Sequence, residues 1–302
     1  MFPETLPPGH RYRTYSNLLI ALAMVGAIVL SAQGTNFSPG LFLEPGNLKN
    51  MFRFITGLWP PALEKDFLLT AGRLLLETVE ISIIGTALAV LFAFPLSLLA
   101  MRERGEEFSL RSTGLLSWSI RWAAYYFART LLNILRSIPE MVWALIFVVA
   151  VGLGPFPGVL ALAAHSTGIL GKLYAELFES VDLRLVEMAR STGAGELKVL
   201  GFVRLPHTLP VFLSYTLFRW ECNMRAATIL GFVGAGGIGS QLIISMKLFA
   251  YNEVMTLILV IFGLVVLLDL AGQLVRTRIL DSYRGISHGQ PCREIPCKNR
   301  KK

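Results

Sequence analysis

The sequence predicts an all-α, multi-pass membrane protein with about six membrane-crossing helices. Three observations predict it. Hydrophobic residues make up 54% of the 302 residues and charged residues only 16%, with a mean hydropathy of +0.58; soluble domains carry about 45–50% apolar and about 25% charged residues. Apolar runs recur near 17–32, 78–100, 138–153, 158–178, 209–230 and 254–275, and a helix needs roughly 20 such residues to cross about 30 Å of hydrocarbon. Lys and Arg gather in alternate loops, the pattern that membrane insertion imposes.

Taken in order, the first run follows His10-Arg-Tyr-Arg13 and reads as a retained span. A cleavable signal peptide ending near Ser31-Ala32 is the competing reading, and it leaves the remaining topology unchanged. The second run is unbroken. Pro139 blurs the start of the third, because a preceding helix over 121–136 can run into it at a kink. The fourth contains His165, and the fifth contains Arg219, Glu221 and Arg225. Segments 102–136, 184–204 and 276 onward are basic, whereas 152–157 carries no charge and the charges of 33–77 balance. Both termini and the 181–206 segment are therefore expected in the cytoplasm. The net charge of +8 flanks spans in a lipid bilayer and does not indicate a nucleic acid partner.

Gly234-Ala-Gly236-Gly237-Ile-Gly239 fits the G-x-G-x-x-G pattern of dinucleotide sites. That chemistry needs a preceding strand, a following helix and an acid about 20 positions on. Here the glycines follow an apolar run, and the next acid, Glu253, comes too early. A phosphate-binding loop for ATP is also lacking, since Gly171-Lys172 is followed by Leu173 and Ser166 stands where the first glycine is needed. Cys222 lies in an apolar stretch, and Cys292 and Cys297, with His288 nearby, lie in a polar tail. No second pair completes a metal-ligand spacing. We expect no catalytic residue, no cofactor and no metal.

Between the fourth and fifth runs stands EMARSTGAGELKVLGFVRLP, residues 187–206. Ser180 or Asp182 can cap a first short helix, Gly193 allows a turn or a close backbone approach, and a second helix from about Ala194 is expected to end before Leu205-Pro206. Such a bihelical element can sit in a cleft on a partner and transmit displacement as a rigid body. An amphipathic helix lying on the membrane is the plainer reading.

Glu187-Met188-Ala189, Gly193 and Val203-Arg-Leu205-Pro206 resemble the E-A-A-x3-G-x9-I-x-L-P loop of ABC importer permeases. Met188 and Val203 depart mildly from it, both remaining apolar. LRSIPE at 135–140, WALIF at 143–147, VGLGP at 151–155, SYTLFRWE at 214–221 and RAATILGFVGAGGIG at 225–239 resemble, in the same order, the phosphonate-type importer permeases. The resemblance implies a type I ABC importer permease fold over residues 77–281, with 1–76 as an N-terminal stub, first span and external loop, and 282–302 as a basic tail. It also implies a bacterial inner membrane location, separate ATPase subunits, an external solute-binding protein and a second permease copy, expected to be identical. The implied cargo is a phosphonate, phosphite, hypophosphite or phosphate ester. A permease for another small solute and an ion-coupled secondary transporter are the alternatives.

Two readings remain for the charges of the fifth run, each costly at mid-bilayer by about 2.5–3.5 kcal/mol on insertion scales. They can hold the fold, with Glu221 and Arg225 paired at i,i+4 and Arg219 reaching Glu140 or Asp269. Alternatively, Arg225 and the backbone N–H groups of 234–239 stabilise a passing oxyanion. The glycines can instead allow close packing, and His165 reads as a hydrogen-bonded structural histidine.

Overall fold

The computed structural model describes residues 9–35, 40, 44–102 and 115–287, and every regular element among them is helical. The chain divides into two compact units, Met1–Gly57 and Leu58–Lys302. Glu77 lies within a helix of the second unit. The first unit holds α1 (Gly9–Gly34) and α2 (Pro45–Gly57). Its stretch Ser16–Gly34 is long and apolar enough to cross a membrane.

The second unit begins with α3 (Lys65–Ala100), whose 36 residues reach about 54 Å at 1.5 Å per residue. α4 (Leu115–Ser137) and α5 (Glu140–Val151) follow and meet at a bend of 92°. The bend has a definite cause. Pro139 has no N–H to return to the Leu135 carbonyl, so the Trp143 indole Nε1–H donates to that oxygen at 3.1 Å. His165 Nδ1 bonds the Ile138 carbonyl at 2.9 Å. The expected kink is thus present and stitched from both sides.

α6 (Pro155–Glu179) is the central helix, packed against α3, α4, α5 and α9. Small residues permit this: a Cβ on Gly85 would stand 2.9 Å from Leu162 Cβ, and Ala89 and Ala93 face Leu170, Tyr174 and Phe178 without exposure. Close approach through small residues is how apolar helices associate where lipid gives no hydrophobic driving force. Many other large apolar side chains point outward, among them Leu91, Phe92, Phe262, Leu267 and Leu274.

Next come α7 (Leu183–Ser191) and α8 (Glu196–Val199), then a π-helical stretch (Leu200–Arg204) leading into α9 (Leu205–Leu230). This corrects one expectation: the second short helix does not stop before Leu205-Pro206 but runs through it into the span. Leu205 N–H bonds back five residues to the Leu200 carbonyl, and Pro206 follows at the junction where the π-helical stretch passes into α9. A 3-10 turn (Gly231–Val233), α10 (Ile238–Lys247) and α11 (Tyr251–Ser287) complete the unit.

Lys65–Ala100 and Tyr251–Arg278 are long and apolar enough to cross a membrane singly, and the pairs α4–α5 and α8–α10 are so when each bent pair counts as one crossing. α6 is long enough at 25 residues, but His165, Ser166, Thr167 and Lys172 make it more polar than the others.

Candidate functional site

The 181–206 element is built around a small core of its own. Asp182 Oδ1 accepts the Arg184 N–H at 2.9 Å and caps α7. Val181, Val186 and Val199 are buried, with Ala189, Ala194 and Val203 packed on them. At the turn, Ala194 N–H bonds the Ala189 carbonyl at 3.3 Å and Gly193 N–H bonds the Arg190 carbonyl at 2.9 Å, the double bond set of a Schellman ending. Gly193 has φ +81°, and no atom lies within 4 Å of a Cβ built there. It is therefore required for its left-handed backbone and not for a close approach. Arg190 and Glu196 pair across the turn at 2.8 Å.

Of the residues matching the loop motif, Ala189 and Val203 thus fill the core, Glu187 is exposed, and Leu205 and Pro206 start the span helix. Met188, Leu197 and Phe202 are 66%, 84% and 83% exposed, an apolar outer surface on a polar element. Arg204 ties the element down: it is 5% exposed and Nη1 donates to the Phe178 carbonyl at 3.2 Å.

In the spans, the expected Glu221–Arg225 pair is joined by partners from α11, and Arg219 bonds elsewhere. Glu221 and Arg225 approach only to 3.9 Å. Arg276 on α11 takes Glu221 at 2.9 Å, and Asp269 on α11 takes Arg225 at 3.0 Å. The i,i+4 pair is thus present, and tertiary partners on α11 come closer to it, reaching the carboxylate and the guanidinium at hydrogen-bonding distance. Arg276 was missed because, at the end of the last span, it reads as one more flanking cation. Arg219 finds neither expected carboxylate within 4 Å. Asp269 is committed to Arg225, and Glu140 Oε2 lies 3.4 Å from His165 Nε2. Arg219 Nε instead donates to Ser166 Oγ at 3.0 Å.

Four N–H groups of the glycine segment, those of Gly234, Ala235, Gly237 and Ile238, are engaged within the chain. Gly237 N–H donates to Glu77 Oε1 at 3.0 Å and Ile238 N–H to Thr78 Oγ1 at 2.9 Å. Ala235 N–H bonds the Leu230 carbonyl and Gly234 N–H the Gly231 carbonyl. The glycines stand in close contact with their surroundings: a Cβ on Gly239 would overlap the Thr228 carbonyl, and one on Gly236 would stand 2.6 Å from Glu77 Oε1. Among the described residues no group of three His, Cys, Asp or Glu could hold a metal; Cys292, Cys297 and His288 lie outside them.

Residues 112–281 match the family described as binding-protein-dependent transport system inner membrane component. The chain is 43% identical over 197 residues to the phosphite transport system permease protein PtxC of Stutzerimonas stutzeri, covering 65% of this chain and 66% of that protein. It is 35% identical over 238 residues, 78% of each chain, to HtxC of the same organism, assigned by name to phosphite transport. The fold is similar to the permease of the inward-facing MetNI methionine ABC transporter, with TM-score 0.59 at 19% identity over 72% of this chain and 99% of that one. The helical bend, the central small-residue helix and the short bihelical element sit inside the matched region, and the chain belongs to the family of inner-membrane components of binding-protein-dependent transport systems.

Proposed function

We infer that this chain is the transmembrane permease subunit of an ATP-binding-cassette importer that carries a small phosphorus oxyanion across the bacterial inner membrane. Phosphite leads the candidate cargoes, supported by the names of PtxC and HtxC, with phosphonates, hypophosphite and phosphate esters presenting the same tetrahedral charge. ATP hydrolysis resides on separate subunits, an external binding protein delivers the solute, and a second copy of the chain closes the path. Both termini and the 181–206 element face the cytoplasm, as the basic loops indicate.

The observation that carries this reading is the 181–206 element. It has its own buried valines, a fixed turn at Gly193, and an outer apolar surface of Met188, Leu197 and Phe202 that fits a cleft on the ATPase. Because α8 continues through the π-helical stretch into α9, displacement of the element is passed directly to the span carrying Arg219, Glu221 and Arg225. Glu187, Met188, Ala189, Gly193, Val203, Leu205 and Pro206 serve this coupling. Glu221 and Arg225, paired to α11, hold that helix to its neighbour.

Proteoliposomes containing the permease, its ATPase and its binding protein test the reading. Phosphite uptake must require ATP, and a cross-linker at Met188→Cys must capture the ATPase. Labelling of that cysteine from the outer face of sealed cells would refute the orientation.

A further inference from the structure

Among the guanidinium groups of α9 and α11 that have just been described, Arg219 is set apart by its valence. Arg225 and Arg276 are each matched by a carboxylate, so that cluster is internally neutral. Arg219 has no carboxylate within ion-pair distance among the described residues, and its one hydrogen bond, from Nε to Ser166 Oγ, leaves Nη1 and Nη2 uncommitted. That single bond is anchored deeply. Ser166 Oγ donates to Asn223 Oδ1 at 2.9 Å, and Asn223 Nδ2 donates to Thr86 Oγ1 at 2.8 Å. Ser166 and Asn223 are both wholly buried. The relay joins α3, α6 and α9 and fixes the guanidinium by its stem nitrogen, so that its outer edge is held ready without reorganisation.

Nearby is Glu140, at the first turn of α5 beyond the 92° bend. Glu140 contacts His165 and Arg219 bonds the next residue, Ser166, so the two charges are brought near one another, yet they do not close to a salt bridge. Glu140 keeps a third of its side chain exposed while one oxygen rests near His165. Charged groups with exposed edges on a membrane-spanning surface are not tolerated against hydrocarbon, so this face turns toward a polar path. A guanidinium with two free nitrogens and a carboxylate a short way off form a pair of opposite hydrogen-bonding sense. One donates to anionic oxygens, and the other accepts from a donor, which an oxyanion can supply only as an O–H.

We propose that Arg219 and Glu140 form an intramembrane recognition site for a tetrahedral oxyanion that still carries a proton. Arg219 Nη1 and Nη2 donate to its charged oxygens, and Glu140 accepts its remaining O–H. Phosphite, phosphate and phosphonates carry such a proton around neutral pH. Sulfate does not, and it would set a bare oxygen against the carboxylate. The site therefore discriminates by repulsion as well as attraction. It rests on the proposed function above and adds to it the protonation state of the cargo and the residues that read it.

Phosphorus NMR of phosphite, added to the full-length permease assembled with its ATPase in nanodiscs, tests the site. The wild-type assembly should broaden the phosphite line, and sulfate in excess should not restore it. Arg219→Gln should abolish the broadening. Glu140→Gln should let sulfate compete, lowering the preference for phosphite over sulfate by at least about tenfold, because a site built for a substrate O–H loses its hold over analogues when that acceptor is gone. Broadening at the wild-type level in an Arg219→Gln assembly with wild-type unfolding temperature would overturn the site. If that variant does not assemble, Glu140→Gln decides alone, and sulfate remaining excluded overturns it. Proteoliposome uptake separates this from the underlying reading. Wild-type transport of phosphite with failed site tests withdraws only the site, whereas no transport of any phosphorus oxyanion withdraws the function as well.

Discussion

Glu77 Oε1 accepts the backbone N–H of Gly237 at 3.0 Å, so the N-terminus of α10 is already occupied by a carboxylate of the chain itself. With the neighbouring Ile238 N–H on Thr78 Oγ1, this joins the glycine segment to α3 across 160 residues of sequence. A hydrogen bond to a charged group contributes about 1.5–3 kcal/mol, and a carboxylate at a helix N-terminus gains further from the dipole. Glu77→Ala should therefore lower the unfolding free energy of the purified permease by about 1.5–3 kcal/mol, and Glu77→Gln by less. Glu77→Ala with unchanged thermal stability would show that the contact contributes nothing.

Gly193 stands in the left-handed region with open space around it, so side-chain size matters there only through the backbone. An ordinary residue in that conformation costs about 1–2 kcal/mol, and Asn is the tolerated exception. Gly193→Val should impair ATP-dependent uptake strongly while leaving solute capture by the binding protein intact, and Gly193→Asn should stay near the wild type. Equal uptake by both variants would count against a rigid turn in the coupling element.

Much of this was legible because single residues force their surroundings. Gly193 between two helical patterns signals a turn, Asp182 signals a cap, and Pro139 signals a kink whether or not the partners of the freed carbonyls are known. At Leu205-Pro206 the proline signals a stop to the second short helix that the fold does not make. In the fold the helix widens by one residue per turn over Leu200–Arg204 and takes in the proline at its junction with α9. Spacing also favoured Glu221 with Arg225, but spacing is blind to α11, whose Asp269 and Arg276 arrive only through tertiary packing. For the same reason Ser166 and Asn223, which orient Arg219, carried no sequence signal beyond being polar in apolar runs.

The bend at Pro139 depends on the Trp143 indole, whose N–H fills the place of the missing proline donor at the Leu135 carbonyl. Trp143 also stacks on Phe147 at 5.8 Å, so Trp143→Phe keeps most of the apolar contact and removes the donor alone. A buried acceptor left unpaired costs about 1–3 kcal/mol. Stability measured by denaturation in detergent should fall within that range, and a larger loss on Trp143→Ala would report the added loss of packing.

Arg276 and Glu221 supply the sharpest test of the α9–α11 contact. Glu221 has only a tenth of its side chain exposed and its nearest cation is Arg276 at 2.9 Å, while Arg225 stands off at 3.9 Å. Removing one member of a buried pair leaves an uncompensated charge and costs about 3–5 kcal/mol, whereas removing both is often close to neutral. Arg276→Gln should therefore destabilise the permease severely or prevent its assembly, and Glu221→Gln combined with Arg276→Gln should recover most of the loss. Comparing expression level and unfolding temperature across the two single variants and the double variant measures the coupling directly. Additive losses would mean that Arg225 alone holds Glu221 and that Arg276 is a bystander. A recovered double variant would establish that α11 is fastened to α9 by this pair, so that α11 must follow whatever motion reaches α9 through the π-helical stretch.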